Sequence, residues 1–517
     1  MKRIVIATLL AAATVSAQDL QTVTRIRQEG FRNSKVMEYA RTLTDQMGAR
    51  LTGSPNMKRA NEWTRDELTK MGLTNAHLEP YKFGRGWTSE FTSVRMLSPD
   101  VQQLYALPMA WSPATNGPVR AKVVKVKLET QEDLDKNKGK LSGAIVMTAD
   151  PKEMKPQEKG ALERYDDAEL EQLAGYPIPS ERDSARISEY RKRREFRKLL
   201  AQFAMDEKIA ALLMAPTGEG GVFRVQGGGT WLDNEPQGVP AVGLAPEQYA
   251  RIARLIDAKQ DVELEIEVRA RYLDQDLNAW NTIAEIPGSD RKGEVVMLGA
   301  HLDSWHTGTG ATDNAAGAAV MMEAVRILKT LGPPRRTIRI ALWSGEEQGL
   351  LGSRAYVAQH VAGRAEPKDP EQAKLPPNQR TTDKGALIVK PEHAKISAYF
   401  NADNGTGRIR GIYAQENAAV VPLFTAWLTP LHDIGATTVT MRNTMSTDHV
   451  PFDEAGIPAF QFIQDDVEYS ARTHHTQWDT FERLQREDLM QAAVVVATVA
   501  WETANRAEML PRKPLPK

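Results

Sequence analysis

The sequence predicts an α/β fold, in which a mixed, mostly parallel central sheet is sandwiched by helices and a β-rich block is inserted. Three observations carry this expectation. From Asn278 onward, short apolar strands alternate with helical runs, the pattern of a sheet covered on both faces. Between residues 118 and 272 the alternation gives way to short strands, turns and a charged helical stretch. The chain has 517 residues and no cysteine. It is therefore long enough for two or three domains, and its cores alone must hold it together.

Taken in order, residues 1–17 read as a secretory signal peptide. Lys2 and Arg3 precede an apolar run from Ile4 to Thr14, and "VSA" before Gln18 supplies the small residues of a cleavage site. The expected product is exported, periplasmic or secreted after cleavage near Ala17, with no transmembrane segment. Residues 18–117 form the N-terminal part of the main domain. They are helical from Val23 to Leu73, turn at Gly53-Ser54-Pro55, and continue into extended stretches such as "SEFTSVRML".

Residues 118–272 form the inserted block. "VRAKVVKV" and "LSGAIVMTA" read as strands, followed by a charged helical insertion to about residue 200. The basic run at 191–198 lies among acidic stretches and reads as a solvated helix face. The loop "GEGGVFRVQGGG" precedes no helix able to hold a phosphate, so its glycines read as turns. Lys plus Arg number 66 against 67 for Asp plus Glu, which leaves no global field for nucleic acid or an anionic membrane.

Residues 273–510 carry the alternation. "EVVMLGA", "TIRIALW", "ISAYFNAD" and "IPAFQFI" are strands; "NAAGAAVMMEAVRILKTL", "EEQGLLGSRAYVAQH", "PLFTAWLTPL" and "REDLMQAAVVVATVAWETAN" are helices. A polar, Pro-rich connection (363–384) interrupts them, and residues 511–517 form a tail.

The chemistry collects where these strands end. His301 and Asp303 follow one strand, Glu346 and Glu347 a second, Asp403 a third, and His474 and His475 lie in the loop after a fourth. Asp313 joins them from the turn "GTGATD". Ligand sites of open α/β sheets form outside the carboxyl ends of the strands. Singly, Asp313 would be an N-cap and the Glu pair a partner for a helix dipole. Together, so many carboxylates at one edge need a compensating cation. Imidazole and carboxylate without sulfur favour zinc. Two histidines and three carboxylates suffice for two zincs that share one bridging carboxylate, and the Glu346–Glu347 doublet offers both a ligand and a proton-transferring base.

These residues lie in motifs that resemble a known family. "HLDSW", "ATDNAAG", "WSGEEQGLLGS", "NADNG" and "HHTQWDT" resemble the co-catalytic zinc exopeptidases, which include secreted aminopeptidases and the plasma glutamate carboxypeptidase (carboxypeptidase Q-like) branch. "HLDSW" and "EMLPR" look most like that branch, "GARLTGSP" looks like the family's N-terminal signature, and 118–272 looks like its protease-associated domain. The resemblance implies two zincs per chain, a peptide or dipeptide substrate, and a homodimer. It makes His301, Asp313, Glu347, Asp403 and His475 the metal ligands, with Asp313 bridging. Glu346 becomes the general base and Asp303 the residue that orients His301. Asp479 becomes a supporting partner and His474 the rival of His475. His449, in "STDHVPF", is a supporting, substrate-facing or structural histidine, and His306 a rim residue. The Pro-rich connection, longer than the family's, would be a lid or partner surface. Two alternatives stand beside this reading, a glutaminyl-cyclase-like single-zinc acyltransferase and a non-catalytic binding module. Which terminus is recognised stays open.

Overall fold

The computed structural model describes residues 20–154, 160–176, 182–374, 380 and 383–516. The expected signal peptide (1–17) lies outside them, as do residues 375–379 and 381–382 of the Pro-rich connection. Among the described residues, no helix is long and apolar enough to cross a membrane.

Two eight-stranded sheets organise the described residues. The first is the mixed sheet the alternation predicts. Its four middle strands, Arg336–Trp343, Arg291–His301, Ile396–Asn401 and Ala459–Gln464, run parallel. Antiparallel partners flank them, Asn278–Ile286 on one side and Ile409–Tyr413 on the other. Both faces are buried, which is why these strands read as continuous apolar runs. Val296, Leu298 and Ala300 face the helices Leu20–Arg32, Ala316–Lys329 and Arg486–Asn505, whereas Val295 and Met297 face the opposite side with Tyr356 and Phe452. The last of those helices is apolar nearly all round because it is packed between neighbours.

The second sheet is wider than the block expected at 118–272. It recruits Gly86–Ser98, Gln102–Leu104 and Ala106–Pro108 alongside Glu263–Leu273, Val119–Lys125, Ile145–Met147, Ala211–Met214 and Ala241–Leu244. Gly86–Ser98 pairs antiparallel with Glu263–Leu273 along its whole length, so the structural unit begins well before residue 118. Of the basic run at 191–198, Lys192, Arg193 and Arg197 are exposed on the helix Arg182–Asp206, and Lys198 pairs with Glu195 and Glu235. Arg164 reaches Asp465, just past the strand Ala459–Gln464, at 3.0 Å and Asp488 on the helix Arg486–Asn505 at 2.7 Å. Part of the Pro-rich connection is regular: Ala362–Arg364 pairs with Leu387–Val389, and Pro370–Ala373 is a short helix.

Candidate metal centre

The four parallel strands end at one edge, and His301, Asp313, Glu347, Asp403, His474 and His475 meet there. His301 is the last residue of its strand and pairs in register with Trp343 of the next. Asp403 lies two residues past Asn401. Glu346 and Glu347 were expected to open a helix. They lie instead in the loop between Trp343 and the helix Leu351–Tyr356, where the Glu346 carbonyl accepts from Gly349 and Leu350. From this loop the Glu347 side chain reaches His475 Nε2 at 3.0 Å.

Asp313 sits at the centre. Its Oδ1 is 3.2 Å from His301 Nε2, and its Oδ2 is 3.1 Å from His475 Nε2. His301 Nε2 also lies 3.0 Å from Asp403 Oδ1, and His475 Nε2 3.0 Å from Glu347 Oε2. Each imidazole thus has one carboxylate of its own and one half of Asp313. Among the described residues, the three-donor groups close enough to share an ion are His301, Asp313 and Asp403, and Asp313, His474 and His475. In the second group His474 is the outer member: its Nε2 is 3.8 Å from Asp313, its side chain is 38% exposed, and its ring lies 3.8 Å from that of His475, tilted by 39°. The Glu347 side chain, 3% exposed, lies 3.0 Å from His475 Nε2.

The charges are in tension. Burial lifts Glu346 well above the carboxylate range, helped by Asp403, Asp448 and Glu347 against the pull of His301. Burial and Asp313 push Glu347 up to about 7, against His475. Burial would lower His475, but Glu347 and Asp313 raise it to about 10. Burial would likewise lift Asp313, yet the two imidazoles hold it well below its ordinary value.

The donor set fits zinc. Glu347 Oε1 is buried and makes no hydrogen bond, a costly state for a carboxylate oxygen unless a cation takes it up. Ligand atoms around a tetrahedral zinc with bonds near 2 Å stand roughly 3.3 Å apart, close to the separations between these imidazole and carboxylate atoms.

The supporting residues differ in part from their expected roles. Asp303 does not hold the His301 ring through its carboxylate, which is 3.6 Å away; its backbone carbonyl lies 3.0 Å from Nδ1. The carboxylate instead accepts from the Thr52 hydroxyl (2.9 Å) and the backbone amides of Glu346 (3.3 Å) and Glu347 (3.4 Å). Asp479 is buried and steadies Asp313 through the backbone, accepting from Thr312 N (2.6 Å), Thr312 Oγ1 (2.8 Å) and Asp313 N (3.0 Å). His306, expected at the rim, is half-buried. Its Nε2 donates to the Pro108 carbonyl at 2.7 Å, its ring stands edge-on to Trp87, and burial lowers it to about 4. His449 is buried with Nε2 donating to the Thr444 carbonyl, and burial lowers it to about 4 as well.

Several contributors were missed. Arg50 is fully buried and donates to five backbone carbonyls, those of Leu43, Gly48, Leu302, Thr309 and Gly310. It pins the loop that carries Asp313, and "GARLTGSP" was its only signal. Gln226, from the glycine-rich loop, lies 2.8 Å from His475 Nδ1. That loop is more than turns. A Cβ on Gly229 would overlap the Trp111 carbonyl, so the glycines let it run tight against 110–111. A cavity of about 150 Å³ opens beside Glu347, walled by this loop, Trp231 and Trp305, with Arg197 and Gln348 also lining it. Both polar atoms of the Gln348 amide are buried without a partner.

The model of Peptidase family M28 matches residues 281–500. The chain is 26% identical over 475 residues to carboxypeptidase Q of Mus musculus, covering 91% of this chain and 86% of that protein. It is 26% identical over 277 residues to aminopeptidase YwaD of Bacillus subtilis (strain 168), covering 53% and 54%. Among solved structures, a peptidase M28 precursor from Shewanella amazonensis SB2B aligns with a TM-score of 0.68 at 24% identity, covering 96% of this chain and 98% of that one. BSAP, a zinc aminopeptidase from Bacillus subtilis, aligns with a TM-score of 0.57 at 20% identity, covering 92% and 97%. These two share the fold.

Proposed function

We propose, on the premise that residues 281–500 belong to peptidase family M28, that this chain is an exported two-zinc exopeptidase. Its reaction is hydrolysis of the peptide bond beside a free terminus of a peptide or dipeptide. The observation that carries the reading is the division of the Asp313 carboxylate between two imidazoles, each with a further carboxylate of its own. His301, Asp403 and Asp313 would hold one zinc; His475, Glu347 and Asp313 the other.

Zinc bound there supplies Lewis acidity toward the scissile carbonyl and makes nearby water more acidic. The chain's own residues do the rest. Glu346 stands outside the imidazole–carboxylate contacts, and burial followed by its acidic neighbours keeps it ready to hold a proton. It takes a proton from the attacking water and passes it to the leaving amine. Asp303 and Thr52 fix the backbone from which Glu346 and Glu347 project. The cavity beside Glu347 receives the substrate and removes water from around it. The relatives include both a carboxypeptidase and an aminopeptidase by name, and the terminus read here lies between those two.

The test is metal content of the purified protein by mass spectrometry, with a panel of dipeptides and aminoacyl anilides assayed with and without chelator. Two zincs per chain and chelator-sensitive cleavage are expected. One zinc with cyclisation of N-terminal glutamine, or no metal and no turnover, would overturn the proposal.

A further inference from the structure

The two central imidazoles are held from behind in different ways. His301 Nδ1 stands 3.0 Å from the carbonyl of Asp303, two residues onward in its own loop. His475 Nδ1 instead faces the side-chain amide of Gln226 at 2.8 Å, across 249 residues of sequence. Gln226 belongs to the region of the second sheet, where its carbonyl accepts from Ala110 N at 3.0 Å.

His475 needs such support. Its φ is +61°, a left-handed conformation that a residue with a Cβ keeps only where its surroundings over-determine it. The hairpin Thr217–Glu219 and Val222–Arg224 provides much of that constraint. Arg224 donates to the carbonyls of Ser470 (2.8 Å) and His474 (3.0 Å). Gln477 accepts from Phe223 N at 3.2 Å and donates to the Gly221 carbonyl at 2.6 Å. The histidine loop is therefore clamped from the second sheet's side, and Gln226 extends the clamp to the ring itself.

We propose that Gln226 is a positioning residue of the metal centre, accepting the Nδ1 proton of His475 through its amide oxygen. That bond fixes the neutral tautomer with its lone pair on Nε2, the atom 3.1 Å from Asp313 and 3.0 Å from Glu347. The amide atom nearest Nδ1 is Nε2, and a half-turn of the amide exchanges it for the oxygen without moving the rest of the side chain. The inference rests on the two-zinc reading above.

The experiment compares wild type, Q226M and Q226E as the full mature chain, titrating zinc in competition with a chromophoric chelator. Melting of the zinc-free proteins is recorded in parallel. Q226M keeps the length of the side chain and removes the acceptor. It should bind one of two zinc equivalents about 10–100-fold more weakly, with zinc-free melting close to wild type because Gln226 is exposed. Q226E keeps an acceptor oxygen and should restore the affinity. Wild-type affinity in Q226M overturns the proposal, and so does a Q226E as weak as Q226M, which would assign the effect to packing. A wild-type chain that takes up no zinc refutes the two-zinc reading and this proposal together. Zinc-binding wild type with an indifferent Gln226 refutes the proposal alone.

Discussion

Thr52 offers a sharp test of how the centre is assembled. It is fully buried and joins three segments distant in sequence. Its hydroxyl donates to Asp303 Oδ2 at 2.9 Å and accepts from Gly345 N at 2.9 Å. Asp303 in turn holds the amides of Glu346 and Glu347 at 3.3 and 3.4 Å. Thr52→Val keeps the shape and removes both bonds. A hydrogen bond to a charged acceptor contributes about 1.5–3 kcal/mol, and a buried amide left without an acceptor costs about 1–3 kcal/mol. Allowing for partial relaxation, T52V should lose about 2–5 kcal/mol, read from urea unfolding of the zinc-free protein. The two glutamates would then hang on longer, weaker bonds, and misplacement by about 1 Å can cost on the order of 100-fold in rate. We expect kcat to fall by at least about tenfold. Thr52→Ser retains the hydroxyl and should keep kcat near wild type, losing about 0.5–1.5 kcal/mol for the missing methyl. If T52V unfolds and turns over like wild type, the hydroxyl does not hold this junction and the reasoning fails.

Three further outcomes follow from the same geometry. Glu346→Gln should keep both zincs by mass spectrometry while kcat falls by about 10²–10⁴; wild-type turnover in the variant would remove Glu346 from the role of base. Replacing His475 by Ala should cost one zinc equivalent and replacing His474 should cost none, because only His475 approaches both Asp313 and Glu347 closely; the opposite ranking in metal content would reverse the ligand assignment. Gly310→Ala should destabilise by roughly 2–4 kcal/mol, since Gly310 has φ +61° and an added Cβ would overlap Ser304 and come within 2.9 Å of Arg50. Gly332→Ala, at φ +97° with open space around it, should lose only about 1–2 kcal/mol, so equal melting shifts in the two variants would contradict the crowding argument.

The sequence by itself determined the parallel sheet and the edge at which its chemistry gathers. Strands buried on both faces must be apolar throughout, so 295–300, 337–343, 396–401 and 459–464 stand out locally. The residue just past a strand's end is then known without any knowledge of the partner strand, which is why His301, the Glu346–Glu347 doublet and Asp403 could be placed at one edge. Only the tertiary structure decided which atoms meet. Residues 86–108 join the second sheet because Gly86–Ser98 lies against Glu263–Leu273, and no local periodicity encodes a partner so far along the chain. The Asp303 carboxylate turns to Thr52 and two backbone amides, His306 turns to the Pro108 carbonyl, and Gln226 reaches His475 from the second sheet's side. Each choice depends on where two remote segments touch: periodicity reports which face of an element is buried, whereas a side chain's hydrogen-bond partner is set by what the rest of the fold places beside it.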